Sequence, residues 1–134
     1  MNEETDNAMH EAGICVTRVR TNPASETVWK GPGEYDFSDI DTRVYNVLNN
    51  HADTYLMIQV VLDVPQWWKD ANPEELMVSS EENGSKNNVS LASQKFADDA
   101  IAVNLAMLQY IAQQPYANRV IGAVLCAGQT KSTP

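Results

Sequence analysis

One apolar segment constrains the fold of this chain more than any other. Residues 54–62 (TYLMIQVVL) are almost continuously apolar. A run of this kind predicts a strand that is covered on both faces, as in a parallel sheet flanked by helices. Two further segments, 14–20 and 119–126, are rich in β-branched and apolar residues and predict two more strands.

Helical patterns alternate with these three strands. Residues 2–12, 39–50 and 92–113 are predicted to be helices, the first ended by Gly13 and the last by Pro115. We expect Ser38 to cap the second helix, with Asp41 supporting its first turn. Alternation of strands and helices predicts the α/β class, built from βαβ units with a parallel sheet.

Apolar spacing also predicts which side of each helix is buried. On the second helix the predicted buried residues are Ile40, Val44, Val47 and Leu48. On the third helix they are Ala97, Ile101, Leu105, Leu108 and Ala112.

The connection from residue 63 to residue 90 is long for a compact domain and is predicted to be a functional or mobile loop. Asn72 and Pro73 predict a single helical turn within it, with Asn72 as the cap and Pro73 in the first helical position.

Composition excludes several classes of function. Nine basic and eighteen acidic side chains give a net charge of -9, which opposes binding to nucleic acid. The sequence has no apolar run long enough to span a membrane and no signal peptide at its start, and the compartment of the full-length protein stays open.

The cysteines and histidines suggest no metal site at this level. Cys15 and Cys126 lie in apolar runs without a histidine at ligand spacing, so we expect buried free thiols. His10 and His51 lie on or beside polar helices with no nearby ligand set. Neither a metal nor an organic cofactor is therefore expected.

Three parallel strands leave two edges of a sheet without a partner. A closed eight-stranded barrel needs about 200 to 250 residues, so we expect this chain to be part of a larger fold. If the edges stay exposed, self-association through them is expected.

Three segments in order carry a family resemblance. They are residues 29–41 (WKGPGEYDFSDID), residues 64–68 (VPQWW) with 72–74 (NPE), and residues 116–122 (YANRVIG). Together they resemble glycoside hydrolases of the β-galactosidase type, similar to family 42 of clan A, which have a (β/α)8 or TIM barrel. The resemblance implies a partial barrel in which the three predicted strands are the second to the fourth.

That resemblance also implies where a sugar would bind, because barrel enzymes place their sites at the carboxyl ends of the strands. The candidate substrate-binding residues at or beyond these ends are Arg18, Arg20, Trp29, Asp63, Trp67, Trp68 and Gln129. Retaining hydrolysis needs two carboxyl groups about 5 to 5.5 Å apart. The family's acid/base glutamate would follow the third predicted strand, where this chain ends in residues 128–134 (GQTKSTP), so no catalytic residue is assigned and the chain is expected to be inactive alone.

Each candidate residue has a structural alternative. Trp67 and Trp68 would stack on a sugar ring or plug the barrel mouth. Asp63 would orient a hydroxyl group or pair with Arg18 or Arg20. Trp29 would shape the pocket or cover a helix end, and Gln129 would donate to a hydroxyl group.

The acidic clusters are expected to support helix ends. The alternative for the whole chain is a non-catalytic α/β module that binds carbohydrate or a protein partner through Trp67, Trp68 and its open sheet edge.

Overall fold

Helices and strands alternate along the chain. The computed structural model describes residues 3–78 and 88–127. Its α-helices are α1 (Glu3–Glu11), α2 (Ser38–Asn50), α3 (Gln66–Ala71) and α4 (Gln94–Ala112). Its strands are β1 (Val16–Thr21), β2 (Trp29–Gly31), β3 (Glu34–Tyr35), β4 (Tyr55–Leu62), β5 (Leu76–Met77), β6 (Asn88–Val89) and β7 (Val120–Ala127). Two short 3-10 turns lie at Pro73–Glu75 and Ala117–Arg119.

The main sheet contains three parallel strands in the order β1-β4-β7, with β4 in the middle. At the start of the sheet Val16 pairs with Tyr55, and at its end Leu62 pairs with Ala127. The predictions of an α/β fold and of these three parallel strands are therefore confirmed. Within the described residues the sheet is open and does not close into a barrel.

Helices α2 and α4 supply the apolar cover of one face of this sheet. The strand residues of the core include Leu56, Ile58 and Val60, each at most 1% exposed. The core also contains Ile40 and Val44 from α2, and Val47 and Leu48 pack against it, so the predicted buried side of α2 is confirmed. Burying each of these aliphatic side chains contributes about 1.5–3 kcal/mol.

The prediction that β4 is covered on both faces is wrong for the described part of the chain. Tyr55 is 44% exposed, and Met57, Gln59 and Val61 are only half-buried. These residues alternate with the buried ones, so they share the second face of the sheet. The apolar run reflects two apolar faces, of which helices cover one.

Helix α4 buries a different side from the one that its sequence predicts. The buried residues are Phe96, Ala100, Val103, Met107 and Ile111. Ile101, Leu105 and Leu108 of the predicted side are 64%, 54% and 42% exposed. Both sets follow helical spacing, because α4 is apolar around most of its circumference, and periodicity cannot choose between them. The side that carries Phe96 and Met107 packs on the sheet.

The predicted cap of α2 is also wrong. Ser38 is the first helical residue, and its N–H and hydroxyl groups both donate to Oδ1 of Asp36, at 3.1 and 2.7 Å. Asp41 accepts from two tyrosines of distant segments instead of supporting the first turn. Ser93 does cap α4, since its Oγ accepts from the N–H of Phe96 at 3.0 Å.

The long connection after β4 is more ordered than the sequence predicts. It contains α3, the 3-10 turn at Pro73–Glu75, and the two-stranded pair β5–β6. The predicted helical turn at Pro73 is confirmed, but Asn72 does not cap it. Its Nδ2 donates to the carbonyl of Trp68 at 2.8 Å.

Cys15 and Cys126 are free thiols, as predicted, but both are only partly buried. No described helix is both long and apolar enough to cross a membrane.

In the described ranges β1 and β7 each pair on one side only, and Ile121, Val124 and Leu125 are exposed on β7. Self-association through these edges stays a prediction.

Candidate functional site

The segments that follow β1 and β4 meet beyond the carboxyl ends of these strands. After β1, strands β2 and β3 form a hairpin whose turn contains Gly33 at a φ of 72°. After β4, Val64 and Pro65 lead into α3. Left-handed backbone is accessible to glycine at little cost, so Gly33 allows the tight turn that returns Tyr35 to Trp29.

Aromatic side chains hold these two segments together. The rings of Trp29 and Trp67 make an edge-to-face contact with centroids 5.5 Å apart. Nε1 of Trp67 donates to the carbonyl oxygen of Trp29 at 2.7 Å. Tyr35 continues the cluster, with its ring 6.3 Å from that of Trp29. Edge-to-face pairs of this type add about 0.5–1.5 kcal/mol to the energy of burial.

Trp68 is fixed differently from its neighbour Trp67. It is 1% exposed, and its Nε1 donates to Oδ2 of Asp99 at 2.7 Å. Lys95 lies 3.1 Å from the same carboxylate oxygen. Trp68 therefore connects α3 to α4 in the core, whereas half-buried Trp67 keeps part of its surface accessible.

A cavity of about 480 Å³ opens beside this aromatic cluster. Its walls include Trp29, Tyr35, Trp67, Asn72, Lys95 and Asp99. Burial and the nearby charge of Asp99 raise the pKa of Tyr35, which makes ionisation of its hydroxyl group still less favourable. The cavity thus combines aromatic surface with an ammonium, a carboxylate and a phenol.

Trp29 is 3% exposed, and its indole Nε1 is buried without a hydrogen-bond acceptor in the described part of the chain. A buried unpaired N–H group costs about 1–3 kcal/mol. An acceptor on a bound molecule that reached this N–H group would recover that energy.

Arg18 and Arg20 lie on the face of the sheet opposite the helices, and both are exposed. Register places Arg18 beside Met57, and Arg20 beside Gln59. Gln59 in turn donates from Nε2 to Sγ of Cys126 at 3.3 Å. The open face therefore carries Arg20 and Gln59 at paired register positions, near the carboxyl ends of the strands.

Asp63 follows β4 directly and is partly buried. Its Oδ1 accepts from the N–H of Val64 at 2.8 Å and lies 3.7 Å from Nζ of Lys69. Lys69 is thus one cation beside Asp63, and within the described residues no ion pair joins Asp63 to Arg18 or Arg20, the pairing that the sequence suggested. Gln129, the remaining candidate, lies outside the described residues.

A second link joins α2 to the segment before β7. The hydroxyl groups of Tyr110 and Tyr116 donate to the two carboxylate oxygens of Asp41 at 2.5 and 2.6 Å. The hydrogen bond to Asp41 and partial burial raise the pKa of Tyr110 to about 12. Burial and then the same carboxylate raise the pKa of Tyr116 further. Both phenols are therefore held in the protonated form that donates.

A second cavity, of about 510 Å³, lies beside the start of α2. Hydrogen bonds from Ser38 and Lys30 lower the pKa of Asp36 in its wall to about 2. Asp39 is paired with Arg43 at 2.6 Å. The charged groups of this cavity are thus already matched to one another.

Sequence reasoning missed two features of the described structure. Gln59 is a polar residue in an otherwise apolar strand, and strand alternation alone would have placed it on the face opposite Ile58 and Val60. At the opposite end of the sheet, His10, Cys15 and Asp53 come close enough to hold a metal ion. The expectation that no ligand set lies near these residues is therefore wrong.

The chain matches no model of a known protein family, and no curated protein matches it.

Proposed function

We propose that this chain supplies part of the sugar-binding face of a (β/α)8-barrel glycoside hydrolase of the β-galactosidase type. The observation that carries the proposal is mutual contact among the three segments that resemble this family. Residues 29–41 contact residues 64–68 through Trp29 and Trp67. The same first segment contacts residues 116–122 through Asp41 and Tyr116.

The form of the sheet supports the barrel part of the proposal. All three strands are parallel, helices cover one face, and both outer edges are unpaired in the described ranges. In a (β/α)8 barrel the helices form the outer ring and the other face of the sheet lines the centre. Arg18, Arg20, Met57 and Gln59 would then face the barrel interior.

In this proposal the polar groups near the strand ends bind sugar hydroxyl groups. The Arg20 guanidinium donates, and the Gln59 amide both donates and accepts. The accessible part of Trp67 offers an apolar surface on which a sugar ring can stack. The aromatic cavity is favoured over the cavity beside α2 because Trp29, Tyr35 and Trp67 line it, whereas no aromatic side chain is among the described residues that line the other.

No carboxyl group of the described residues is assigned a catalytic role. The proposal therefore concerns binding and positioning of a β-linked sugar. Hydrolysis would require an acid/base and a nucleophile from other segments of the barrel.

The coding DNA provides the first test. We expect the reading frame around and beyond the codon for Pro134 to encode a glutamate soon after β7, further strand–helix units, and a second glutamate. A stop codon with no barrel sequence downstream in any frame would contradict the hydrolase proposal.

Sugar binding provides the second test. Methyl β-galactoside titrated into the ¹⁵N-labelled chain should shift the resonances of Arg20, Gln59 and the Trp67 indole. Trp67→Ala should weaken binding roughly threefold to tenfold, as expected for the loss of one stacked aromatic ring.

Tyr45→Ala is the matched control, because Tyr45 is an exposed aromatic residue on α2. It should bind as the unaltered chain does, and Arg20→Gln, on the exposed face, should weaken binding without unfolding. Absence of shifts at millimolar sugar, or shifts confined to other residues, would contradict the assigned sugar face.

A further inference from the structure

Four side chains with metal-binding atoms gather at the end of the sheet where the strands begin. His10 lies in the last turn of α1, and Cys15 directly precedes β1. His51 is the C-cap residue that follows α2, and Asp53 lies in the turn before β4. The residues proposed to bind sugar lie at the opposite end of the sheet, near the carboxyl ends of the strands.

The donor atoms of three of these residues are close together. One ligand atom each from His10, Cys15 and Asp53 lies within 4.8 Å of the other two. Nε2 of His10 is 3.5 Å from Oδ1 of Asp53. The His51 ring lies beside that of His10, with centroids 4.5 Å apart.

Backbone hydrogen bonds hold these residues in place. Gly13 has a φ of 81°, and its N–H donates to the carbonyl of His10, so the chain turns sharply after α1 and brings Cys15 back toward it. The N–H of Tyr55 donates to the carbonyl of Cys15 at 2.8 Å, which places the Asp53 turn beside Cys15. The cluster is therefore built by the same contacts that start the sheet.

The chemistry of the donors selects a class of metal ion. Zinc binds thiolate sulfur, imidazole nitrogen and carboxylate oxygen, usually with four ligands in a tetrahedron. With Zn–S near 2.3 Å and Zn–N near 2.0 Å, neighbouring ligand atoms lie roughly 3.3–3.7 Å apart. The His10–Asp53 distance already falls in that range. Calcium and magnesium prefer oxygen ligands alone, so they fit this set poorly.

We propose that His10, Cys15 and Asp53 bind a zinc ion, with water or the adjacent His51 imidazole in the fourth position. The His10 side chain is 32% exposed and that of Asp53 is 70% exposed, so the ion can enter from solvent. Zinc binding would link α1 to the starts of β1 and β4. The site is separate from the proposed sugar face, and either proposal can fail alone.

The experiment uses the reduced, untagged chain with zinc chloride, in competition with a chromogenic chelator. We expect one zinc ion per chain and a higher melting temperature with zinc, because a ligand that binds only the folded state stabilises it. Cobalt should give the absorption band of a thiolate-bound Co²⁺ ion. Cys15→Ser and His10→Ala should each weaken zinc binding by about tenfold or more.

Cys126→Ser is the matched control, since Cys126 is also a partly buried free thiol but lies at the far end of the sheet. This variant should keep full zinc affinity and the cobalt–thiolate band. Absence of micromolar zinc binding would overturn the proposal. Equal binding by the Cys15→Ser and unaltered chains, or loss of binding in Cys126→Ser, would do so as well.

Discussion

The two faces of β4 differ in cover although both are largely apolar. Leu56, Ile58 and Val60 are buried under the helices, whereas Met57 and Val61 on the other face are only half-buried. Alternating side chains of one strand thus meet two environments. The apolar residues on both faces of β4 predict that both faces can be buried. They do not predict whether the described helices cover each face.

The largest expected effect tests this difference directly. Ile58→Ala removes a side chain that is 0% exposed and should lower the free energy of unfolding by about 2–5 kcal/mol. Val61→Ala, on the open face of the same strand, should cost less than about 1 kcal/mol. Urea denaturation measures both. Equal losses would mean that the open face is covered in solution.

A second comparison concerns the adjacent tryptophans. Trp68→Phe removes a buried donor to Asp99 and should cost about 1–3 kcal/mol. Trp67→Phe removes a bond to a backbone carbonyl from a half-buried ring and should cost about 1 kcal/mol or less. The two variants are compared by urea denaturation. A larger loss for Trp67→Phe would show that Trp67 is the main anchor of α3 and would weaken its assignment to the sugar face.

The smallest effect concerns the link between α2 and the end of α4, and it depends on pH. Tyr110 and Tyr116 have raised pKa values in the folded chain, so their contribution is complete below the unfolded pKa of about 10. For Tyr110 it is lost as pH rises from about 10 through about 12, and for Tyr116 the loss extends to higher pH, because an ionised phenol cannot donate to Asp41. We expect a loss of about 1 kcal/mol from this pair after solvent screening.

Unfolding midpoints in urea from pH 8 to pH 11.5 measure this loss. Tyr110→Phe/Tyr116→Phe should show a flatter pH dependence than the unaltered chain, and Tyr55→Phe serves as the tyrosine control, because Tyr55 is 44% exposed and lies on β4. Identical pH profiles for the double variant and the unaltered chain would exclude the Asp41 link as the cause.

The positions of the main strands and helices could be predicted because local patterns determine them. The run at 54–62 has no competing helical interpretation of adequate length, and β4 occupies Tyr55–Leu62. By contrast, the buried side of α4 could not be predicted, since two sets of apolar residues satisfy the same spacing. The predicted α2 cap failed because the helix begins one residue earlier than predicted, so that Ser38 is its first residue and Phe37 occupies the N-cap position.

Sequence reasoning could propose candidate residues only from their positions at or beyond the ends of the predicted strands. Arg20, Asp63, Trp67 and Trp68 were proposed in this way and remain candidates. The neighbours of these residues were not, because Asp99 and Lys69 reach them through helices whose rotation the sequence leaves open. His10, Cys15 and Asp53 come from three separate elements, so no ligand spacing links them.

The strand order β1-β4-β7 determines which strands of the sheet can unfold locally. Both outer strands hydrogen-bond to β4, and their partners are distant in sequence, such as Val16 with Tyr55 and Gly122 with Met57. Either outer strand can detach while the other stays paired, but release of β4 removes both ladders at once. Amide hydrogens of β4 should therefore exchange with solvent only through global unfolding, and those of β1 and β7 through smaller openings.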